Sequence, residues 1–308
     1  MGSFGKIVIP RFGRAIVTLW LVVTVVFVVL RFSGDPVSLL LPSDATQEQI
    51  QALRADLGLD QPIPVQYGRF VVRLAHGDLG DSLRFNQPAL GLVLHRFPAT
   101  AELALLAFAA AAVVGLAIGS VTAFVHGSAL DRFLMAVMGL AQAAPSFFLG
   151  IMLILIFSVD LKWLPTSGSG RPSQLVLPAL TLSALTLASI ARITRSSLLD
   201  VLRADYIRTA RAKGIPERMV WFGHALRNAA LPLVTLLGLE LAELLAGAVI
   251  VETVFAWPGI GRLAIDSVAA RDYPVVQAAV LLIASIFIVI NLLVDLSYLV
   301  LDPRTRNG

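Results

Sequence analysis

Thr100–Val125 reads TAELALLAFAAAAVVGLAIGSVTAFV, an apolar stretch in which Glu102 is the only formal charge. A helix needs about 20 mostly apolar residues to cross a bilayer, where its backbone N–H and C=O groups must be satisfied within the segment itself. This stretch is long enough. Five more read the same way: Ala15–Phe32, Phe133–Val159, Leu175–Leu199, Leu231–Ala256 and Val275–Leu301. The expectation is an all-α membrane protein with six transmembrane helices. Composition agrees, since 57% of the 308 residues are hydrophobic and 14% charged, against roughly 25% charged in soluble domains. Gly115 and Gly119 in the opening stretch make a small-xxx-small step of the kind that lets membrane helices approach closely.

The first run follows Lys6, Arg11 and Arg14, the order in which a secretory signal begins. It is long enough to span, however, and Arg31-Phe-Ser-Gly-Asp-Pro36 offers no small-x-small cleavage site, so an uncleaved helix is expected. Arg192 and Arg195 close the fourth run, where they can snorkel to the headgroups.

Basic residues are retained on the cytoplasmic side. Segment 191–230 has eight basic residues against three acidic, whereas segment 33–98 has five against seven. Both termini are therefore expected inside. Segment 33–98 is too long for a simple connection and too polar for hydrocarbon, so it reads as a small external helical cap. Thr46 with Gln49 makes a capping box, Ile50, Leu53 and Leu57 recur at helical spacing, and Gly58 ends that helix. Tyr67, Phe70, Val71 and Leu74 form a second amphipathic run ending at His76 and Gly77. The chain thus divides into residues 1–32 (cytoplasmic N-terminus and first helix), 33–98 (extracytoplasmic cap) and 99–308 (five-helix core with a cytoplasmic loop, 200–230).

Several functions are excluded by what the sequence lacks. It contains no cysteine, so disulfides and thiolate chemistry are impossible. No Gly-x-x-x-x-Gly-Lys-Ser/Thr loop is present to cradle a nucleotide, and no His-Glu-x-x-His or Gly-x-Ser-x-Gly element to hydrolyse a peptide or ester. His76, His95, His126 and His224 lie in separate segments without ligand spacing, so no metal site is expected. The chain is read as a non-enzyme that binds no cofactor itself.

Two intramembrane features stand out. Glu240 and Glu243, three apart on one helix, would cost roughly 2.5–3.5 kcal/mol each near the bilayer centre and should face the bundle or a watery path. With Gln142, beside Pro145 and Ser146 at a possible pore-side kink, they are the candidate lining of a translocation path. The alternative is a structural contact with a partner chain or with Arg192. Asn291 and Asp295, at i and i+4, are expected to make an interhelical contact.

The cytoplasmic stretch Ala204-Asp-Tyr-Ile-Arg-Thr-Ala-Arg-Ala-Lys-Gly214 places Ile207, Ala210 and Gly214 on one narrow face of a short helix. Such a face could slide into a partner's groove; a basic loop lying on anionic lipid is the plainer alternative. Together with His224-Ala-Leu-Arg-Asn228 and Leu231-Pro232, this wording resembles the permeases of dipeptide, oligopeptide and nickel ATP-binding-cassette importers. Leu57-Gly-Leu-Asp60, Gly77-Asp-Leu-Gly-Asp-Ser82 and Arg96-Phe-Pro-Ala-Thr100 are similar to the first of the two permeases in such systems. So are Val251-Glu-Thr-Val-Phe-Ala-Trp-Pro-Gly-Ile-Gly-Arg262, Arg271-Asp-Tyr-Pro274, Asn291–Asp295 and Leu301-Asp-Pro-Arg304. The general Glu-Ala-Ala-x-x-x-Gly loop of binding-protein-dependent permeases is matched only at Ala210 and Gly214.

The resemblance implies a type I importer permease fold in a bacterial inner membrane, carrying short peptides, with nickel, glutathione or haem as alternative cargo. It implies a second homologous permease, one or two ATPase chains holding ATP and Mg²⁺, and an extracytoplasmic peptide-binding protein; nucleic acid has no part. Asp205, Tyr206, Ile207, Arg208, Thr209, Ala210, Arg211, Ala212, Lys213 and Gly214 would form the coupling helix docked on an ATPase. Trp257, Arg262, Arg271, Asp272 and Tyr273 would face the binding protein. An ion-coupled secondary transporter or a membrane enzyme would leave that coupling helix unexplained.

Overall fold

Pro145 decides the middle of the bundle. Proline has no N–H and its ring drives the preceding residue out of the α region. Ala144 accordingly adopts ψ 127° and Pro145 ψ 138°. The third apolar run, expected as one span over Phe133–Val159 with a kink near Pro145, is broken there into α5 (Ala129–Ala143) and α6 (Ser146–Leu153), the latter prolonged by a π-helical stretch, Ile154–Asp160. The two halves meet at a bend of 104°. Pro98, Pro178 and Pro232 leave their helices unbroken.

The computed structural model describes residues 3–32, 37, 41 and 45–301. Other parts of the 33–44 cap segment, and the end of the Leu301–Arg304 resemblance, lie outside the described residues. Around the broken pair stand α1 (Ser3–Phe32), α4 (Ala89–Phe124), α7 (Pro172–Leu202), α9 (Leu226–Gly247) continued by α10 (Val249–Val254), and α12 (Tyr273–Leu301). Five helices are long and apolar enough to cross a membrane, six if the bent pair counts as one. Of the shorter helices, α3 (Ile63–Ala75) and α11 (Ile260–Ala269) share one buried cluster, α2 (Gln47–Asp56) precedes α3, and α8 (Asp205–Ala212) follows the far end of α7.

Alanine and glycine set the spacing of the bundle. Helices α4 and α7 are the most extensively packed pair, with Leu103, Ala104 and Ala107 joining Leu177, Ala179 and Leu182 in the largest buried cluster. Gly115 and Gly119 lie where the two backbones nearly touch. A Cβ at Gly119 would sit 2.5 Å from the Ala191 carbonyl oxygen and the Thr194 Cβ, and one at Gly115 would sit 2.9 Å from Ile190. Helix α12 packs on α1, α9 and α11; Val275, Ala278, Ala279 and Leu281 bury Val23, Val93 and Ile260.

Both cap helices form. Thr46 accepts from the Gln49 amide at 3.3 Å while its own amide donates to Gln49 Oε1 at 2.9 Å, and Gly58 takes φ +65°. Helix α3 leans on α1, with Phe27 against Tyr67 and Phe70 and a 2.7 Å hydrogen bond between Thr24 and the Tyr67 hydroxyl.

Overpacking a filled core costs typically about 1–3 kcal/mol, so Gly119→Val should lower the melting temperature of the detergent-solubilised permease. Gly68→Ala, on an exposed helical position with open space around it, should leave it unchanged or raise it slightly.

Candidate functional site

Three polar constellations interrupt the apolar bundle, and each joins helices that are distant in sequence.

At the centre, the Glu240 carboxylate of α9 accepts hydrogen bonds from the Thr186 and Ser189 hydroxyls of α7. Gln142 Nε2, from the last turn of α5, reaches Ser189 Oγ at 3.5 Å. Ser189 thus joins Gln142 to Glu240, two of the three residues singled out as a path lining. Glu243 lies one turn further along α9 and is exposed on the single chain. Neither carboxylate pairs with Arg192 among the described residues. The seam therefore gathers carboxylates, hydroxyls and an amide between α5, α7 and α9, most accessible at Glu243.

At the end bearing α8, the structure reverses one expectation. Ile207 is fully buried and Ala210 is 8% exposed, because that face packs on the chain's own π-helical stretch Val220–Ala225, the lead-in to α9. The face read as a free ridge is thus an internal contact. What α8 presents outward is Tyr206, Thr209, Lys213 and the Asp205–Arg208 pair. Arg211 holds Glu217 through two hydrogen bonds of 2.7 and 3.2 Å. Gly214, at φ +75°, turns the chain out of the helix with nothing within 4 Å of a Cβ, so its role is conformational. Nearby, Asp131 is 2% exposed and receives Arg195 bidentately at 2.8 and 2.7 Å plus the Gly127 amide at 2.9 Å. Arg11 reaches Asp295, donating to its carbonyl at 2.6 Å with the carboxylate 3.4 Å away; this is an interhelical contact of the kind expected for Asp295.

At the opposite end lies a buried carboxylate that sequence reasoning missed. Glu252 is fully buried, accepts the Thr100 hydroxyl at 2.6 Å and the Arg262 amide at 3.0 Å, and is bonded by the Gly261 amide. Thr100 Oγ1 in turn accepts the Ile260 amide at 2.8 Å. Together they satisfy the orphan amides that open α11, where negative charge also meets the positive end of the helix dipole. A Cβ at Gly259 would collide with the carboxylate. The glycine pair seven and nine residues after an intramembrane Glu was the available signal. Trp257 is 2% exposed and its indole N–H donates to the Ala99 carbonyl at 2.8 Å. Asp272, 1% exposed, takes the Ser82 hydroxyl at 2.5 Å and the Leu83 amide at 3.1 Å. Tyr273 is buried as well. Of the loop expected to face outward, Trp257, Asp272 and Tyr273 build the chain's interior; Arg262 and Arg271 remain partly accessible.

Five or six helices of membrane-spanning length, joined by buried polar clusters, make this a polytopic membrane protein. The chain belongs to the family described as binding-protein-dependent transport system inner membrane component, matched over residues 115–307, with the N-terminal membrane component of such systems matched over residues 4–104. It is similar to the glutathione transport system permease protein GsiC of Pectobacterium atrosepticum, 44% identical over 299 residues (97% of this chain, 98% of the relative). GsiC of Escherichia coli strain K12 is 42% identical over 300 residues, with the same coverage. A chain of the methionine ABC transporter MetNI, inward facing, shares the fold at TM-score 0.52 and 18% identity, covering 70% of this chain and 95% of that one. The protein is thus a multi-pass inner-membrane permease component of an ATP-binding-cassette importer, whose ATP is hydrolysed by separate subunits. Components of this kind work with a partner permease, an ATPase and a substrate-binding protein.

Glu252→Ala would strand buried donors at about 1–3 kcal/mol each and should lower the melting temperature of the solubilised complex markedly. Glu252→Gln keeps one acceptor oxygen and should recover at least half of that loss.

Proposed function

We propose that this chain forms half of a translocation path for short peptides, glutathione foremost, and transmits ATPase closure to that path. The observation that carries the cargo is its likeness over almost its whole length to permeases named for glutathione transport. Glutathione is a peptide with two carboxylates and one ammonium group. The seam of Gln142, Ser189, Glu240 and Glu243 suits the ammonium, and a second, homologous permease would close it into a pathway.

The coupling follows from the order of elements. Helix α8 sits between the end of α7, which carries Thr186 and Ser189, and the start of α9, which carries Glu240. Because Ile207 and Ala210 anchor α8 on Val220–Ala225, a push from an ATPase on Tyr206, Arg208 and Thr209 would move α9 against α7. That movement shears the Ser189–Glu240 contact. Asp205, Arg211, Ala212, Lys213 and Gly214 complete the docking helix. ATP and Mg²⁺ reside on one or two ATPase chains. The binding protein meets the other end, where Ile265 and Val268 are exposed on α11 beside Arg262 and Arg271.

This assignment puts both termini in the cytoplasm. The absence of cysteine makes an introduced thiol unique: T209C should react with an impermeant maleimide only from the cytoplasmic side of oriented vesicles, and D60C only from the other. The opposite pattern inverts the topology. Arg208→Glu with Tyr206→Ala should abolish cargo-stimulated ATP hydrolysis and uptake of radiolabelled glutathione while the permease pair still assembles; full uptake would remove α8 from the coupling path. Glu240→Gln should raise the KM for glutathione about tenfold, the loss of roughly 1.4 kcal/mol of binding, with assembly unchanged.

A further inference from the structure

The end of the bundle that holds α11 carries a cleft of about 540 Å³, within the size range of small-molecule sites. Its walls come from three segments: the first turns of α4 with His95, Arg96 and Glu102, the approach to α7 with Arg171, and Trp257–Pro258. A second depression of about 230 Å³ adjoins it, sharing Arg96 and Pro258 and adding Arg84, Arg262 and Asp266. Four guanidinium groups thus line these two adjoining hollows against two carboxylates. Asp266 lies 3.8 Å from Arg262 and offsets that charge in part. Arg96 and Arg171 form no ion pair among the described residues, and both are exposed.

The base of the hollow is fixed. Trp257 is held by its bond to the Ala99 carbonyl, and Thr100, next along α4, is clamped between Glu252 and the Ile260 amide. Arginines displayed above a rigid aromatic base form a carboxylate receptor, because a planar guanidinium pairs bidentately with a carboxylate and need not be ordered afresh for each encounter. Glu102, on the same lining, supplies the opposite charge for an ammonium.

We infer that this hollow is a cargo subsite at the entrance of the path, in which Arg96 and Arg171 bind a carboxylate of a small zwitterionic peptide while Glu102 faces its ammonium group. The inference rests on the peptide reading above and deepens it. The hollow receives the carboxylate before the central Glu240 and Glu243 meet the amine. A concave site of this volume, built on a locked indole, suits a small molecule better than the broad contact of a docking protein.

The test uses the assembled importer in nanodiscs without its binding protein, with radiolabelled glutathione and its diethyl ester followed by equilibrium dialysis. Wild type should retain glutathione and not the diester, and Arg96→Gln and Arg171→Gln should each weaken retention about tenfold, with Arg96→Lys restoring part. Equal retention of acid and ester, or unchanged binding in both variants, overturns the subsite. So does a parallel loss of affinity for the binding protein, which would assign the arginines to a protein contact, or a loss of co-purifying anionic lipid, which would assign them to headgroups. If the wild-type importer takes up neither glutathione nor dipeptides in vesicles while the carboxylate is still bound, the cargo reading falls and the subsite stands.

Discussion

The close approach of α4 and α7 at Gly115 and Gly119 is the contact on which the rest of the architecture depends. In a bilayer, apolar surface gains little by leaving lipid, so helices associate through close packing and polar contacts. Two missing side chains allow the α4 backbone to rest against Ile190, Ala191 and Thr194. That places α7 at the middle of the bundle, in contact with α4, α5, α6 and α9. Thr186 and Ser189 are then carried toward Glu240, and Arg195 toward Asp131.

Buried carboxylates fix the ends of the bundle. Asp131, Asp272 and Glu252 are each almost wholly excluded from solvent and each is surrounded by donors. A lone carboxylate in such a place would be far too costly, so each binds a loop that would otherwise be loose: Asp131 the 125–128 turn, Asp272 the 82–84 turn, Glu252 the start of α11. The rigidity they confer is what distinguishes the ends from the central seam, where Glu240 is only partly buried and Glu243 is exposed. The fully buried carboxylates hold the frame, and the partly accessible ones line the seam between α7 and α9.

The same division runs through α8. Helix α8 is joined to the bundle through buried Ile207 and Ala210 and through Arg211–Glu217, yet its other face carries unburied charge and Tyr206. It is therefore fastened to the bundle on its apolar side and open on its charged one. The π-helical turn Val220–Ala225 between it and α9 is a local widening of a kind often found at functional positions.

Sequence alone determined the membrane class, the number of apolar runs, both cap helices and the close-packing glycines, because these depend on local composition and periodicity. It also marked Gln142, Glu240 and Glu243 as out of place in hydrocarbon. It misread the α8 ridge, since a small-residue face fits a groove equally well whether that groove belongs to a partner or to the same chain. It marked Pro145 as a kink in the third run but not how sharp the kink is, because composition over a window of about 20 residues registers length and apolarity, whereas the bend of 104° belongs to the folded backbone. Glu252 went unnoticed because its partners, Thr100 and the amides of 260–262, come together only when α4 and α11 pack. Which polar residues are interior clasps and which face open space is a property of approach between distant segments, and the tertiary structure alone decided it.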